Sequence, residues 1–444
     1  MRKSRREFLR LAAGGAAALA APGLALADLA EPRPVAPVPL VNLRGPDFAK
    51  LGKSVKYIAR VRPHRNGGVR LGEDAPLEGP GGTKYLIHNY GHSGAGITLS
   101  WGCAAEVCRY TSDILDRTGL AATPPPVAIL GTGIIGLTVA TELRRRWPGI
   151  QITNYAKDTN AKNTTSYFAG GQFAPSQIFR EYKTKKDRAI LLGYLTKSRD
   201  RLEEIVAMDP GGQVFGIKKN IMNYALFPEE ALQKLIDWGV LPGPPVQISL
   251  SFGPKADARQ RSGTLYRTWL VDPTILLPKL VLDLTRGGVK FVKQTFKSRD
   301  DFLKLKETIL INCTGYGAAA LMNDEAMEPH RGHLVVLKNM APKLDYFFSG
   351  GCGQPNSLGG APEIAYMFAR QNDIVIGGTV ADTDPGDRQN FPKWFKTLER
   401  DFFDKTDPDD RETCRVLLDN AKRIFSGEPE TCQPPPRADL HKAG

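Results

Sequence analysis

The fold is decided by residues 127–136, which read Val127-Ala128-Ile129-Leu130 and then Gly131-Thr132-Gly133-Ile134-Ile135-Gly136. The apolar tetrapeptide predicts a short buried strand, and the segment from Leu137 to Arg146 predicts a helix directly after the glycines. A second strand is predicted from Ile150 to Tyr155. A bare Gly-x-Gly-x-x-Gly motif is weak evidence, but one placed between strand and helix indicates a dinucleotide-binding turn.

Each glycine of this turn has a distinct physical role. Gly131 makes the tight turn, Gly133 lets backbone amides approach a pyrophosphate, and Gly136 permits close packing of helix on strand. The pyrophosphate would lie on the helix N-terminus, at Ile134 and Ile135. The sequence therefore predicts a Rossmann-like unit that binds a dinucleotide.

The group that binds the ribose is less clearly marked. An acid is expected at the end of the second strand, and Asp158 lies one residue late for that role. Lys157 is the alternative residue at this position, where it would meet the phosphates instead. The motif alone does not separate FAD from NAD(P).

Charge and cysteine content exclude several classes of protein. The formal net charge is +13, but the basic residues that precede residue 11 account for part of it. The rest favours a solvated basic face over a nucleic-acid interface, because one short arginine run, Arg144-Arg145-Arg146, is the densest block. None of the six cysteines has Cys-x-x-Cys spacing and no histidine cluster accompanies them, so no metal site is predicted. Disulfide pairing stays open.

The N-terminus has the pattern of an export signal. Ser4-Arg5-Arg6-Glu7-Phe8-Leu9-Arg10 precedes a weakly apolar run that ends in Ala25-Leu26-Ala27. The arginine pair resembles a bacterial twin-arginine signal over residues 1–27. The sequence thus predicts recognition by the twin-arginine export machinery, a periplasmic or secreted location, and no stable membrane span. A basic amphipathic helix is the alternative interpretation.

Residues 86–102 read Leu-Ile-His-Asn-Tyr-Gly-His-Ser-Gly-Ala-Gly-Ile-Thr-Leu-Ser-Trp-Gly. This stretch closely resembles the signature of the D-amino-acid oxidase and D-aspartate oxidase family. Four further stretches resemble that family as well: the Arg-Pro approach at 62–71, a flavin-contacting loop at 164–171, a nucleotide-side strand at 311–315 and a substrate-domain hairpin at 366–379. The resemblance implies an FAD-binding Rossmann-like domain interlocked with an α+β substrate domain that carries a mixed antiparallel sheet.

The order of these segments departs from the family. The family opens on the nucleotide turn and closes on the His-Asn-Tyr-Gly segment, whereas here that segment comes first. We interpret this as a circular permutation, which requires the helix end near Leu115 to lie within reach of Val127. The predicted divisions are a linker at 28–45, the permuted segment at 46–120, an FAD-binding segment at 127–180, a mixed region at 181–300, an FAD-domain strand region at 301–330, the substrate domain at 331–425 and a disordered tail at 426–444.

The resemblance implies oxidation of a D-amino acid by hydride transfer to the flavin. Oxygen then gives hydrogen peroxide, and water releases a 2-oxo acid and ammonia. The residues implied for substrate are Arg62 and Tyr366 for the carboxylate and the carbonyl of Gly94 for the amine. The residues implied for FAD, besides the turn at 131–136 and Lys157 or Asp158, are Ser93, Gly96, Ile97, Thr98, Thr164, Thr165, Ser166, Gly170 and Gly171.

No general base is assigned, since hydride transfer from a neutral amine requires none. His88 is expected to order its loop and His92 to pack beside the flavin.

Some positions depart from the family pattern, among them Pro362 and Ala174, which leaves the choice of substrate side chain open. The Gly-rich stretch 341–362 is interpreted as an active-site lid. A dehydrogenase with another electron acceptor, or a non-catalytic flavin-binding protein, remains an alternative, and a homodimer is possible.

Overall fold

The computed structural model describes residues 38–51, 54–176, 178–253, 260–338, 340, 344–351, 364–378, 381–382 and 408–426. The chain divides into the units Met1–Val38 and Pro39–Gly444, and of the first unit only Val38 is described. The signal over 1–27, the linker up to residue 37 and the tail from residue 427 lie outside the described residues. Among the helices that are described, none is both long enough and apolar enough to cross a membrane.

The described strands, numbered in chain order, are β1 Leu40–Leu43, β2 Val55–Arg65, β3 Arg70–Glu73, β4 Leu77–Gly79, β5 Gly82–Tyr90, β6 Val127–Leu130, β7 Ile152–Ala156, β8 Ile217–Ala225, β9 Val246–Phe252, β10 Arg261–Val271, β11 Lys290–Lys293, β12 Ile309–Asn312, β13 Met327–Lys338, β14 Tyr346–Gly351, β15 Ile364–Ala369, β16 Asp373–Gly377 and β17 Ala381–Asp382. The described α-helices are α1 Gly96–Thr118, α2 Ile134–Arg146, α3 Thr165–Phe168, α4 Lys185–Met208, α5 Glu230–Asp237, α6 Pro273–Arg286, α7 Asp300–Leu303, α8 Ala318–Leu321 and α9 Pro408–Ser426.

The nucleotide side is built on a sheet in the order β11-β7-β6-β12-β5-β3. Its strands from β11 to β5 are parallel, and β3 is antiparallel to β5. Strands β6 and β12 are buried along their whole length, as parallel strands covered on both faces must be. The predicted strand–helix–strand unit is therefore present, and α2 follows β6 directly.

The second sheet is larger and mixed, in the order β1-β9-β10-β8-β14-β15-β16-β13-β17 with β2 also paired to β13. Most of its neighbours are antiparallel, and β2 runs along β13 from Val55 to Arg65. Helix α9 packs on this sheet, where Cys414, Leu417 and Ala421 join its apolar core. The predicted fold class, a Rossmann-like domain interlocked with a mixed-sheet domain, is confirmed.

The linker predicted for 28–45 is wrong at its C-terminal end. Residues Leu40–Leu43 form β1, which pairs in parallel with β9 from Ser249 to Phe252. The amide of Ser249 donates to the carbonyl of Pro39, so the pairing of the two strands begins at this proline, which can accept a hydrogen bond although it cannot donate one. Leu43 is buried in the core of the mixed sheet. Proline content concealed a short apolar strand at this edge.

Helix α1 begins at Gly96, inside the signature stretch, and ends at Thr118, three residues past the end predicted near Leu115. Residues 97–104 are all buried, so this half of the helix lacks the polar face on which a periodic pattern depends. Gly102 lies so close to α4 that a Cβ there would sit 1.9 Å from the carbonyl oxygen of Tyr194. The helix is thus buried between α2 and α4.

The lid predicted for 341–362 is wrong where that stretch is described as a strand. Residues Tyr346–Gly351 form β14, which pairs with β8 and β15 inside the mixed sheet. Phe347 and Phe348 on this strand are buried, which fixes it in the core. Residues 341–343 and 352–362, including Pro362, lie outside the described residues.

Candidate active site

The glycine turn is closed by contacts between backbones. Gly131 has φ +123°, and a Cβ there would lie 2.4 Å from the carbonyl oxygen of Cys313. A Cβ on Gly136 would lie 2.1 Å from the carbonyl oxygen of Gly131. A side chain at either position would separate β6, β12 and the start of α2.

The N-terminus of α2 faces the loop that follows β7. The amide of Ile134 donates to Oγ of Ser166 at 3.2 Å, and a Cβ on Gly133 would lie 3.4 Å from the same oxygen. Ile135 continues the first turn of the helix, which has no acidic residue. Because amides converge here at the positive end of the helix dipole, this turn can bind phosphate.

The residues after β7 are ordered by local hydrogen bonds. The Asp158 carbonyl accepts from Oγ1 of Thr132 at 2.8 Å, which ties this segment to the glycine turn. The Asp158 carboxylate accepts from the amide of Asn160 at 2.8 Å and from Nδ2 of Asn163 at 2.6 Å. Lys157 is exposed beside it. Both candidate residues therefore border the turn, and neither is singled out as the ribose ligand.

The segment after β5 turns sharply into α1. Ser93 has φ +53°, an uncommon value for a residue with a side chain, and Gly96 begins the helix. A Cβ on Gly96 would lie 3.8 Å from Cγ2 of Ile134, so the N-termini of α1 and α2 are adjacent. Ile97 follows in the first turn and is buried.

Thr98 fixes the start of α1 to the neighbouring chain. Its Oγ1 donates to the carbonyl of Ala174 at 2.7 Å and accepts from the Ala174 amide at 3.1 Å. The small residue at 174 leaves this backbone accessible to the threonine. The predicted flavin-side residues from 93 to 98 thus form the turn into α1 and the first residues of that helix, beside the N-terminus of α2.

Arg62 and Tyr366 meet on one face of the mixed sheet. The guanidinium of Arg62 interacts electrostatically with the phenol of Tyr366, although the two residues lie on β2 and β15, far apart in sequence. A Cβ on Gly332 would lie 2.7 Å from Nη2 of Arg62, and one on Gly94 would lie 3.5 Å from its Cδ. The backbone of Gly332 therefore lies directly against the guanidinium of Arg62. Gly94 brings the 93–96 turn against the same side chain.

Tyr366 lies in a slot between two other glycines. A Cβ on Gly377 would lie 2.5 Å from its hydroxyl oxygen, and one on Gly170 would lie 3.6 Å from its Cε2. Its ring stacks on Phe368 at a centroid distance of 4.4 Å. Burial raises the pKa of Tyr366, and the Arg62 guanidinium offsets only part of that rise. The phenol therefore stays protonated at neutral pH and can donate to a carboxylate.

Residues 164–171 connect the nucleotide turn to this face. Thr164 precedes α3 with extended backbone, and Oγ1 of Thr165 donates to the carbonyl of Val61 at 3.3 Å. The carbonyl of Gly171 accepts from the amide of Val271 at 2.7 Å. Because Ser166 binds the turn and Gly170 packs on Tyr366, one short segment spans both parts of the site.

The two histidines of the signature differ in their environments. His88 has Asp74 at 3.0 Å from its Nε2 and the side-chain amide of Asn312 at 3.3 Å from its Nδ1. Burial lowers the pKa of His88, while Asp74 opposes that change. This agrees with an ordering role in which the ring fixes β5 to β12. Sequence reasoning identified no partner for it.

His92 is fully buried, and its Nε2 has no hydrogen-bond partner among the described residues. Burial lowers its pKa from 6.5 to about 3. A buried polar atom without a partner is costly, so this nitrogen is available to a bound ligand beside Ser93.

A pH-dependent loss of stability follows from His92. Between pH 6.5 and about 3 the unfolded chain binds a proton at His92 that the folded chain does not, so stability falls as pH falls. From pH 7.5 to pH 5 we expect this group to lower the free energy of unfolding by about 2 kcal/mol.

Denaturant unfolding of the wild type and of His92→Gln at both pH values measures this contribution. The variant should lose less stability on acidification, while the contribution of His88 stays in both proteins. Equal losses in the two proteins would contradict the assignment.

Sequence reasoning missed three residues of this face. Arg60, two residues before Arg62, is buried with its guanidinium 4.4 Å from the ring centroid of Phe168, and burial lowers its pKa to about 9. His64, two residues after Arg62, approaches Oγ of Ser93 at 3.2 Å. Gly332 provides the bare backbone under Arg62. Alternation along β2 would have indicated the first two, since residues i and i+2 share a face.

The residues present fit an FAD. The adjacent N-termini of α1 and α2 supply amides, and glycines keep the backbone bare where a dinucleotide would approach. The nucleotide turn lies at the carboxyl edge of the parallel sheet, where open α/β sheets bind ligands. Residues suited to hold the cofactor are Gly131, Gly133, Ile134, Ile135, Gly136, Ser166, Ser93, Gly96, Ile97 and Thr98.

A glycine turn that fits a dinucleotide, with an arginine–tyrosine pair on the neighbouring sheet, is suited to a two-part, dinucleotide-dependent oxidoreductase. Residues 126–438 match the sequence model described as FAD dependent oxidoreductase, and the chain belongs to this family. Membership of this FAD-dependent family implies FAD as the cofactor.

The chain is similar to several individual proteins. A D-amino-acid oxidase of Streptomyces coelicolor is 29% identical over 260 residues, which cover 58% of this chain and 70% of the relative. A D-amino acid oxidase of Dugesia ryukyuensis is 23% identical over 282 residues, which cover 61% of this chain and 77% of that protein. Among solved structures, an iminodiacetate oxidase of Chelativorans has a TM-score of 0.40 at 16% identity and covers 68% of this chain and 79% of its own.

Proposed function

We propose that this protein oxidises a D-amino acid with oxygen, which gives a 2-oxo acid, ammonia and hydrogen peroxide. The pairing of Arg62 with Tyr366 beside Gly94 is the observation that carries this proposal. A guanidinium beside a neutral phenol supplies donors suited to the two oxygens of a carboxylate. The D-amino-acid oxidase relatives and the resemblance of residues 86–102 supply the substrate class.

The chain's own residues bind and orient the substrate. Arg62 and Tyr366 would hold the α-carboxylate, and the carbonyl of Gly94 would accept a hydrogen bond from the amine. These contacts would hold the substrate in one orientation beside the turn that begins at Ser93. The chemistry supplied by bound FAD is acceptance of hydride and transfer of two electrons to oxygen. Water then hydrolyses the imine, so amino acid, oxygen and water balance 2-oxo acid, ammonia and peroxide.

A D-amino-acid panel assayed for peroxide in air tests the proposal. We expect peroxide with at least one of D-alanine, D-proline and D-aspartate, and none with the matching L-amino acids. Bleaching of the flavin by a D-amino acid under argon without peroxide in air would favour a dehydrogenase with another acceptor. A flavin-containing protein that none of these substrates reduces would contradict both reactions.

We also propose that the chain is a circular permutation of the family's order. Three observations support this: the family match begins at residue 126, β5 lies beside β12 in the parallel sheet, and α1 packs on α2. Helix α1 ends at Thr118 and β6 begins at Val127, so a short connection suffices.

Export by the twin-arginine route is proposed from Arg5-Arg6 and agrees with a protein that acquires its cofactor before transport.

A further inference from the structure

A second cluster of chemistry-bearing side chains lies next to Arg62, on the same face of strands β2 and β13. In the register of these strands His64 is opposite Glu328 and Arg62 is opposite His330. One ligand atom from each of His64, Glu328 and His330 can be chosen so that all three lie within 4.8 Å of one another. Sequence reasoning did not predict this cluster, because the two histidines are far apart along the chain.

The two imidazole rings are arranged as a pair. Their centroids lie 4.1 Å apart and their planes differ by 9°, so the rings are stacked. Nε2 of His64 lies 3.6 Å from Oε1 of Glu181, and Nε2 of His330 lies 3.8 Å from Oε2 of Glu328. Each ring therefore presents a nitrogen to a carboxylate oxygen.

Both carboxylates are held from behind by the turn after β2. Oε1 of Glu328 accepts from Nδ2 of Asn66 at 2.7 Å, and Oε2 of Glu181 accepts from the amide of Gly67 at 2.9 Å. These bonds leave the other oxygen of each carboxylate directed at a histidine. Nδ1 of His64 is in turn held by Oγ of Ser93 at 3.2 Å. Hydrogen bonds of this kind orient ligands around metals in proteins.

We propose that His64, His330 and Glu328 bind a divalent transition metal of the zinc class. Imidazole nitrogen and carboxylate oxygen are suitable donors for such ions, and two histidines with one carboxylate form a known zinc ligand set. Ligand atoms around a tetrahedral ion lie about 3.3 Å apart, given bonds of about 2.0–2.2 Å. To reach that spacing the two rings must turn out of their parallel stack, so that one nitrogen of each ring points at the ion.

Charge favours the same conclusion. Glu181 and Glu328 place two carboxylates around a pair of imidazoles, and the His64 side chain is only 6% exposed. A divalent cation would neutralise these carboxylates, and Glu181 lies where it can serve as an additional ligand or as an acceptor for metal-bound water. Along β2 the ligand His64 is two residues, or about 7 Å, from Arg62, and Arg62 is directly opposite the ligand His330 on β13. This proposal does not depend on the oxidase reaction.

Calorimetric titration of the chelator-treated, flavin-containing protein with zinc chloride tests the site. We expect one ion per chain with a dissociation constant of about micromolar or below, and d–d absorption bands typical of mixed nitrogen and oxygen ligands when cobalt replaces zinc. His330→Asn and Glu328→Gln should each weaken binding at least about tenfold. Glu78→Gln, which removes an exposed carboxylate on β4, should not change it.

A thermal shift provides the second measurement. Zinc should raise the melting temperature of the wild type and of Glu78→Gln, but not that of Glu328→Gln. Glu328 is partly exposed and its replacement is close in shape, so this variant keeps the test valid if His330→Asn does not fold. The absence of saturable binding, or equal binding by wild type and Glu328→Gln, would overturn the proposal.

Discussion

Replacing Arg62 with leucine is expected to lower kcat/KM for the best D-amino acid by about a thousandfold while FAD stays bound. The loss is expected because the substrate carboxylate would lose its charged partner, the Arg62 guanidinium, and keep only the neutral phenol of Tyr366. Removing one side of a desolvated charge interaction costs about 2–5 kcal/mol, and each 1.4 kcal/mol is a factor of about ten. Flavin binding should survive, since Arg62 lies on β2 and not on the 131–136 turn.

Steady-state kinetics and the flavin absorbance per chain measure these two effects separately. Arg62→Lys keeps the charge but not the planar fork, so an intermediate loss is expected from it. Arg180→Leu is the matched control, because Arg180 is exposed and pairs with Glu230 at the surface. Turnover within tenfold of wild type in Arg62→Leu would mean that the carboxylate binds elsewhere and that the proposed site is wrong.

The parts of this site that the sequence predicted are those that depend on backbone geometry. The strand β6, the glycine turn and the following helix were predicted because close backbone contact admits only glycine at 131 and 136. The contact of Arg62 with Tyr366 was expected from the family resemblance. Neither periodicity nor propensity could have supplied it, since it depends on how β2, β13, β16 and β15 are ordered in one sheet.

The features that the sequence did not predict depend on long-range packing. The first half of α1 is buried on every side, so its residues show no helical alternation of polar and apolar positions. Strand β1 is stabilised by pairing with β9, and the sequence near residue 40 does not indicate which strand it pairs with. His88 with Asp74, and His64 with His330, become neighbours only when strands distant in sequence pair.

Replacing Gly136 with alanine is expected to have the other large effect, loss of bound FAD together with a destabilisation of at least about 3 kcal/mol. Alanine favours a helix over glycine by about 1 kcal/mol, so propensity alone predicts a more stable protein. Packing opposes this, because the new Cβ would lie 2.1 Å from the carbonyl oxygen of Gly131. The clash can be relieved only by moving α2 away from β6, which opens the phosphate-binding turn.

Gly193→Ala separates these two effects, because it makes the same substitution inside α4 at a position where a Cβ meets nothing within 4 Å. There the gain in helix propensity should appear alone, as a stabilisation of about 0.5–1 kcal/mol with normal flavin content. The melting temperature should therefore fall in Gly136→Ala and rise in Gly193→Ala. The flavin-to-protein absorbance ratio should fall only in Gly136→Ala. If Gly136→Ala kept the melting temperature and the flavin content of the wild type, the turn at 131–136 could not be the close backbone contact on which the nucleotide site depends.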